Sequence, residues 1–237
     1  IREHGSVTDF PLTLRRKDGQ TVECTSSANL LVLDDEPYLI TVTRDVTIQR
    51  QAEAVLLQEA NTDSLTGLAN RRRFLHVCEN ELRRAHRNGN PLAIAVVDID
   101  HFKDINDTYG HASGDTAVIA FAEHVVASLR DIDMVGRLGG DEFALVLPHS
   151  GEAEATQVVR KLCVELEKVM AGHEWPITFS IGVGVFPAVP AGSDHVIGFC
   201  ESVMQRVKSS GKNKVMVRIY DPDEIDSIRR MPLRVVR

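Results

Sequence analysis

Two acidic strand ends are the part of this sequence best suited to chemistry. Asp141-Glu142 follows Gly139-Gly140, and apolar runs on both sides predict a β-hairpin that reverses at the glycines. A second acidic stretch, Val96-Val97-Asp98-Ile99-Asp100, ends another apolar run. Carboxylates at two neighbouring strand ends can jointly hold Mg²⁺ against a phosphate, because hard cations take oxygen ligands. The pattern therefore predicts a metal site for phosphate chemistry.

Length and composition indicate a globular chain that can bury a core. The 237 residues, 43% of them hydrophobic, predict one or two domains. A formal charge of −7 argues against a general nucleic-acid binder, so we expect no nucleic-acid partner. An anionic substrate would then need local cations.

The compartment is inferred from what the sequence lacks. No apolar run approaches the roughly 18 residues of a membrane span, and the N-terminus lacks the pattern of a secretory signal. We expect a cytoplasmic location and no membrane span in this part of the protein, with a parent chain that can be membrane-anchored upstream. The four cysteines show no metal-ligand pairing and are predicted to be buried thiols: Cys24, Cys78, Cys163 and Cys200.

Hydrophobic periodicity predicts two kinds of structure along the chain. Residues 8–47 alternate as antiparallel strands do, and residues 48–61 have the three-to-four-residue spacing of a helix. Beyond them we expect an α+β sheet flanked by helices. The predicted helices span about 70–88, 102–108, 114–130, 152–171 and 194–209, and the predicted strands about 92–98, 134–138, 143–147, 177–186 and from 215.

Several ordered motifs together resemble the GGDEF family of diguanylate cyclases. The resemblance covers roughly residues 62–220, and the spacing of several motifs makes it far more specific than one hairpin. It implies a palm-like, ferredoxin-like βααββαβ core related to class III nucleotide cyclases. The motifs are Asp63-Ser64-Leu65-Thr66-Gly67-Leu68, Asn70-Arg71-Arg72, residues 98–107, residues 110–115, residues 137–143 and residues 208–213.

The N-terminal strands resemble the C-terminal part of a PAS sensor domain, which commonly ends in a motif such as Arg44-Asp45-Val46-Thr47. We therefore predict a partial PAS domain over 1–47, for which we expect no cofactor. A connector helix over 48–62 is either solvated or a parallel dimer helix that relays sensor state. The GGDEF domain spans 63–220, and 221–237 is a tail or linker.

The resemblance implies an enzyme that condenses two GTP molecules into cyclic di-GMP and two pyrophosphates, with Mg²⁺ or alternatively Mn²⁺. Each protomer would supply one GTP half-site, which implies a homodimer. One alternative is a catalytically silent module that binds GTP or cyclic di-GMP and regulates a downstream EAL phosphodiesterase domain or partner. Another is a chiefly structural role in dimerisation.

The resemblance also assigns the metal and catalytic residues. Asp98 and Asp141 are the expected carboxylate ligands, joined by the backbone carbonyl of Ile99 and by Glu142. Asp141 is also the expected proton acceptor for the 3′-hydroxyl, a role that competes with full commitment to the metal. Lys103 adds a positive charge that can stabilise the transition state.

Two segments are expected to bind the phosphates. Phe102 and Lys103 begin a helix after the acidic strand, where free N–H groups and the helix dipole favour an anion. Lys208 and Lys212 are the cationic pair that the resemblance places on the terminal phosphates. They would share one helix face only if the helix continued through Gly211.

Guanine recognition is expected from three residues that the resemblance places around the base. The carboxylate of Asp115 can accept from the N–H donors of guanine, and Asn106 can both donate and accept. His111 is expected to line the pocket. Adenine would leave at least one of these polar groups unpaired, so the site would reject it.

A product-binding site is predicted from Arg130 and Asp133, which match the inhibitory RxxD pattern of the family. Arginine can stack on guanine and bind phosphate, and aspartate can accept from the guanine edge. Arg160 or Lys161 is expected as a secondary contact. Cyclic di-GMP is thus predicted to be both product and inhibitor.

Two further motifs have mainly structural interpretations. Asp63 and Thr66 are typical of helix boundaries. Arg71 and Arg72 either pair with acids near the hairpin or lie on a solvated helix face.

Overall fold

The computed structural model describes residues 5–173, 175–187, 192–221 and 235–236. The chain divides into two compact units, residues 1–60 and 61–237, and each is described by itself. The predicted tail over 221–237 falls largely on residues outside those described.

The first unit contains an antiparallel sheet of the order β1-β2-β3. The second hairpin turns at Asp34 and Asp35, whose φ angles of 52° and 61° are those that a two-residue hairpin turn requires. A helix follows, and its first N–H groups are satisfied partly by Asp45, which accepts from the backbone N–H of Thr47 at 3.0 Å. The antiparallel strands predicted over residues 8–47 and the helix predicted over 48–61 are confirmed: β1 Ser6–Arg15, β2 Thr21–Leu33, β3 Glu36–Asp45 and α1 Thr47–Asn61.

The sheet of this unit leaves large apolar side chains exposed. Val32 is 65% exposed and Val42 is 66% exposed, and their neighbours on β2 and β3 are close to half exposed. Three strands alone are too few to cover the apolar surface of their own sheet. The exposed residues include Leu30, Leu31, Leu33, Tyr38, Leu39 and Ile40.

The second unit is a mixed sheet between two layers of helices. Within the described residues, seven strands lie in the order β10-β9-β8-β5-β7-β6-β4. The chain order β5-α3-α4-β6-β7-α5-β8 is the βααββαβ core that the resemblance implies, so this expectation is confirmed. The elements are β4 Ala69–Asn70, α2 Arg71–Asn88, β5 Leu92–Asp100, α3 Phe102–Tyr109, α4 His111–Ser128, β6 Met134–Gly139, β7 Glu142–Pro148, α5 Glu152–Gly172, β8 Thr178–Phe186, α6 Ser193–Ser209, β9 Lys214–Ile219 and β10 Val235–Val236.

The central strand β5 is buried along its whole length because helices cover both sheet faces. Ala95 and Val97 pack into the cluster that includes α4 and α5. Ile94 and Val96 pack into the cluster that includes α2 and α6. The strand therefore reads as a continuous apolar run that ends in acids, and the acids lie at the end of a rigid core element.

Helix α6 ends at Ser209, before the second lysine of the predicted cationic pair. Gly211, Lys212 and Asn213 then have φ angles of 104°, 57° and 47°. These left-handed conformations cannot continue a right-handed helix. The condition for a shared helix face is therefore not met, and Lys208 and Lys212 do not lie one turn apart on a helix.

The cysteines are free, and three of them are buried as predicted; Cys163 is half-buried. Burial raises the pKa of the Cys78 thiol to about 12, which keeps it protonated and unreactive at neutral pH. Of the helices in the described ranges, none combines the length and the apolar character that crossing a bilayer would require.

Candidate active site

The predicted hairpin reverses at Gly140-Asp141, between the paired residues Gly139 and Glu142. Gly140 has a φ of 52°, a left-handed conformation that glycine adopts at little cost. The turn places Asp141 at the tip, half-buried rather than fully solvated. The hairpin prediction is confirmed, with the loop one residue later than the glycine pair.

The end of β5 lies directly beside this hairpin. Asp98 pairs with Glu142 in the antiparallel register of β5 and β7. The backbone N–H of Ile99 donates to the carbonyl oxygen of Asp141 at 3.2 Å. The structure thus brings together the four residues that were predicted to bind metal.

Asp98 is a buried carboxylate with a cation against it. Its residue is only 4% exposed, and Lys208 Nζ donates to its Oδ2 at 2.5 Å. Burial raises the pKa of the Asp98 carboxyl to about 6, and repulsion by Asp141 and Asp100 also raises it, whereas Lys208 lowers it. The site therefore gathers several carboxylates, and their combined negative charge favours the binding of a cation.

These residues fit a magnesium ion by the chemistry of their donors. Asp98 and Asp141 supply hard carboxylate oxygens, and the Lys208 ammonium already contacts the Asp98 carboxylate. Among the described residues no three His, Cys, Asp or Glu side chains are grouped as a metal cage. Mg²⁺ in phosphate enzymes usually takes only one or two protein carboxylates, because substrate phosphates and water complete its shell.

The hairpin turn is held by Arg137, a residue whose role sequence reasoning missed. Its Nε and Nη2 donate to the carbonyl oxygen of Gly140 at 2.9 and 2.7 Å. Its Nη1 donates to Asp63 Oδ1 at 3.0 Å, and the same oxygen accepts from the N–H and hydroxyl of Thr66. We call Asp63, Thr66, Arg137 and Gly140 the turn clasp. Arg137 of the GGDEF motif thus pairs with an acid near the hairpin.

Phe102 and Lys103 begin α3 immediately after the acidic strand. His101 precedes the helix in a left-handed conformation, and its side chain makes no capping hydrogen bond. Phe102 packs against the core, whereas Lys103 is exposed. The helix start thus leaves N–H groups for an anion, as the sequence predicts.

Asn106 and Asp115 come from the facing helices α3 and α4. The Asn106 side chain lies against Gly114, where a Cβ would stand 2.0 Å from its Oδ1. Only glycine leaves room for this position of the amide. Asp115 follows Gly114 and is exposed, and His111 is exposed in the first turn of α4. The three residues predicted to recognise guanine thus lie on one helix pair.

Arg130 and Asp133 form a closed pair at a separate place, between α4 and β6. Two arginine nitrogens donate to the Asp133 carboxylate at 2.9 and 2.7 Å. Arg130 Nη2 also donates to Ser150 Oγ at 3.1 Å. The Asp133 side chain is 1% exposed, whereas that of Arg130 is 46% exposed. Arg160 and Lys161, either of which is the expected secondary contact, lie on α5.

Comparison with known proteins agrees with this arrangement. The family model for the diguanylate cyclase GGDEF domain matches residues 60–214. The chain belongs to the GGDEF family. Its palm-like α+β fold is thereby the one that the resemblance implied.

Curated relatives of this GGDEF domain are named diguanylate cyclases. The chain is 36% identical over 163 residues to DgcP of Pseudomonas aeruginosa, covering 68% of this chain and 24% of that protein. It is 32% identical over 180 residues to DosC of Escherichia coli, covering 74% of this chain and 39% of that protein. The chain thus spans well under half of these relatives.

Solved structures share the GGDEF fold. The coiled coil and GGDEF domain of DgcB from Caulobacter crescentus, in complex with c-di-GMP, matches with a TM-score of 0.66 and 26% identity, over 73% of this chain and 93% of that one. The diguanylate cyclase SiaD of Pseudomonas aeruginosa, in complex with its activator SiaC, matches with a TM-score of 0.64 and 31% identity, over 72% and 66%.

Proposed function

We propose that this protein is a Mg²⁺-dependent diguanylate cyclase that condenses two GTP molecules into cyclic di-GMP and two pyrophosphates. The observation that carries the proposal is the meeting of Asp98 with the Asp141 turn beside the Lys208 ammonium. Curated relatives with the same catalytic domain support it.

The reaction is an in-line nucleotidyl transfer performed twice. The 3′-oxygen of one GTP attacks the α-phosphorus of the other, and the bond from that phosphorus to the bridging oxygen breaks as pyrophosphate leaves. The same step in the opposite direction closes the ring. Asp141 accepts the 3′-hydroxyl proton at the hairpin tip, and the adjacent Glu142 adds a second negative charge to the site. A bound Mg²⁺ would stabilise charge on the attacking and leaving oxygens.

Asp98, Asp141, Glu142 and the carbonyl of Ile99 are the groups that would hold the metal. A metal held there would compete with Lys208 for the buried Asp98 carboxylate. A Lys208 ammonium displaced from Asp98 would be available to bind the triphosphate. Binding of metal and of triphosphate is therefore expected to be coupled.

The remaining substrate contacts orient the nucleotide. The start of α3, with Phe102 and Lys103, binds the phosphates through N–H groups and an ammonium. Asn106, held against Gly114, and Asp115 read the guanine edge, and His111 lines the pocket. Lys212 adds charge on the terminal phosphates from the loop that follows α6.

Each copy of this site holds one GTP, so the product requires two copies facing each other. A homodimer is therefore part of the proposal. Arg130 and Asp133 are proposed to bind cyclic di-GMP, after their mutual ion pair opens to the nucleotide. For the first unit we propose the C-terminal part of a PAS sensor domain, on the support of its antiparallel sheet.

The proposal is tested by incubating purified protein with GTP and Mg²⁺ and comparing two charge-matched variants. Asp141→Asn is expected to reduce cyclic di-GMP formation at least 100-fold, because it removes both the proton acceptor and a metal ligand. Glu123→Gln removes the same charge from the exposed surface of α4 and should leave the rate unchanged. Equal rates in the two variants would overturn the assignment of the site.

A further inference from the structure

Asp100 is a second buried acid at the end of β5, and the chemistry proposed above does not use it. The residue is 1% exposed. Its Oδ1 accepts from Ser180 Oγ at 2.7 Å. Its Oδ2 accepts from Thr178 Oγ1 at 2.8 Å and from the backbone N–H of Asn213 at 3.0 Å. A fully buried carboxylate with three donors is an anchor, because an unpaired one would be very costly.

The third donor links this anchor to the loop that carries the phosphate-binding lysines. Asn213 ends the segment of three left-handed residues between α6 and β9. Left-handed conformations of Lys212 and Asn213 are unfavourable and persist only where surrounding contacts hold them. The Asp100 carboxylate supplies such a contact at the last of them.

We infer that Asp100 is a positioning residue that fixes the loop of residues 209–213, and with it Lys208 and Lys212, relative to Asp98. The loop begins where α6 ends, directly after Lys208, whose ammonium contacts Asp98. Strand β5 thus supplies both Asp98, which faces the nucleotide, and Asp100, whose carboxylate holds the loop of residues 209–213. The inference rests on the proposed function, because it assigns the consequence to triphosphate binding.

Loss of Asp100 should change nucleotide binding in a way that general destabilisation would not. If Asp100 positions the phosphate-binding lysines, its loss weakens binding of the β- and γ-phosphates but leaves base recognition by Asn106 and Asp115 intact. The preference for a GTP analogue over GMP should therefore collapse. A purely structural role would change the affinities for both nucleotides together.

The test is calorimetric titration of the whole protein with a non-hydrolysable GTP analogue and with GMP, both with Mg²⁺. Asp100→Ala is expected to reduce the preference for the triphosphate at least tenfold. Asp100→Asn should restore most of it, because the amide oxygen can face the Asn213 N–H while Ser180 accepts from the amide. Ser180→Ala is the matched control, since it removes one buried hydrogen bond but spares the bond to Asn213.

The sole tryptophan, Trp175, reports whether each variant is folded. If Asp100→Ala does not fold, Asp100→Ser replaces it, because its hydroxyl is one bond shorter and leaves Asn213 unanchored. A wild-type protein that prefers the triphosphate, with an unchanged preference in the alanine or serine variant, would overturn the role of Asp100 alone. A wild-type protein without any preference for the triphosphate would overturn the proposed function and this inference together.

Discussion

Replacing Asp98 by asparagine should stabilise the metal-free protein while it destroys the proposed site. The buried carboxyl has a pKa of about 6 against an ordinary value of 3.8. A pKa raised in the folded state means that the folded protein binds the proton more tightly than the unfolded chain does. This contribution to stability is complete below the ordinary pKa and is lost as the pH rises through about 6. At neutral pH the ionised Asp98 therefore destabilises the fold.

The size of the effect follows from the two pKa values. One pH unit between them corresponds to about 1.4 kcal/mol, so ionised Asp98 costs the fold up to about 3 kcal/mol. Asparagine resembles the protonated carboxyl and avoids this cost. For a unit of this size, 1 kcal/mol shifts the melting temperature by about 2–4 °C, so we expect Asp98→Asn to gain about 6–12 °C near pH 8.

The assay is thermal unfolding in a chelator from about pH 5 to about pH 8, where the carboxyl changes from largely protonated to ionised. The gain should grow through this range and level off above about pH 7. Glu123→Gln is the control, because it removes one exposed negative charge and should shift the melting temperature by less than about 2 °C. A variant that is less stable than wild type at high pH, or a gain that does not change with pH, would refute the electrostatic reasoning.

Three further changes test other parts of the site. Arg137→Lys loses the guanidinium that donates two hydrogen bonds to the hairpin turn, so turnover in a steady-state assay should fall at least tenfold. An unchanged rate would contradict the role of the turn clasp. Gly114→Ala places a Cβ 2.0 Å from Asn106 Oδ1 and should raise the KM for GTP about 10–100-fold, whereas Gly198→Ala, at an open helix position, should not. Arg130→Ala should relieve inhibition by added cyclic di-GMP at least tenfold without lowering the initial rate; inhibition at the wild-type concentration would argue against a product site here.

The elements were predictable because their signals are local. Residues 92–97 form a continuous apolar run that predicts a strand over about 92–98, and the observed strand extends this only to Asp100. The glycine pair before Asp141 predicts a tight reversal, and the turn forms one residue later, at Gly140-Asp141. Hydrophobic periodicity and turn chemistry act within a few residues, so one sequence contains them.

The long-range contacts that complete the site could not be predicted from local sequence patterns. Lys208 and Asp98 are 110 positions apart, and Arg137 and Asp63 are 74 apart. Each pair depends on how α6 or the segment before β4 packs on the sheet, which no local pattern encodes. The end of helix α6 near Gly211 could not be predicted either, because a glycine near a helix end is compatible with both continuation and termination of the helix.

Asp98 and Asp100 show the same limit within one motif. They are two positions apart on one strand and identical in chemistry. Asp98 faces Lys208, whereas Asp100 is saturated by hydroxyls of β8 and by the backbone of Asn213. These partners of Asp100 lie 78, 80 and 113 positions away, so no local pattern distinguishes the two acids.

Two copies of this site are proposed to join two GTP molecules. The most direct measurement of this reaction is mass spectrometry of the products formed by the folded, dimeric protein with GTP and Mg²⁺, together with pyrophosphate release. We expect cyclic di-GMP, with two pyrophosphates released for each product molecule. A folded dimer that binds GTP but forms neither cyclic di-GMP nor pyrophosphate would contradict it.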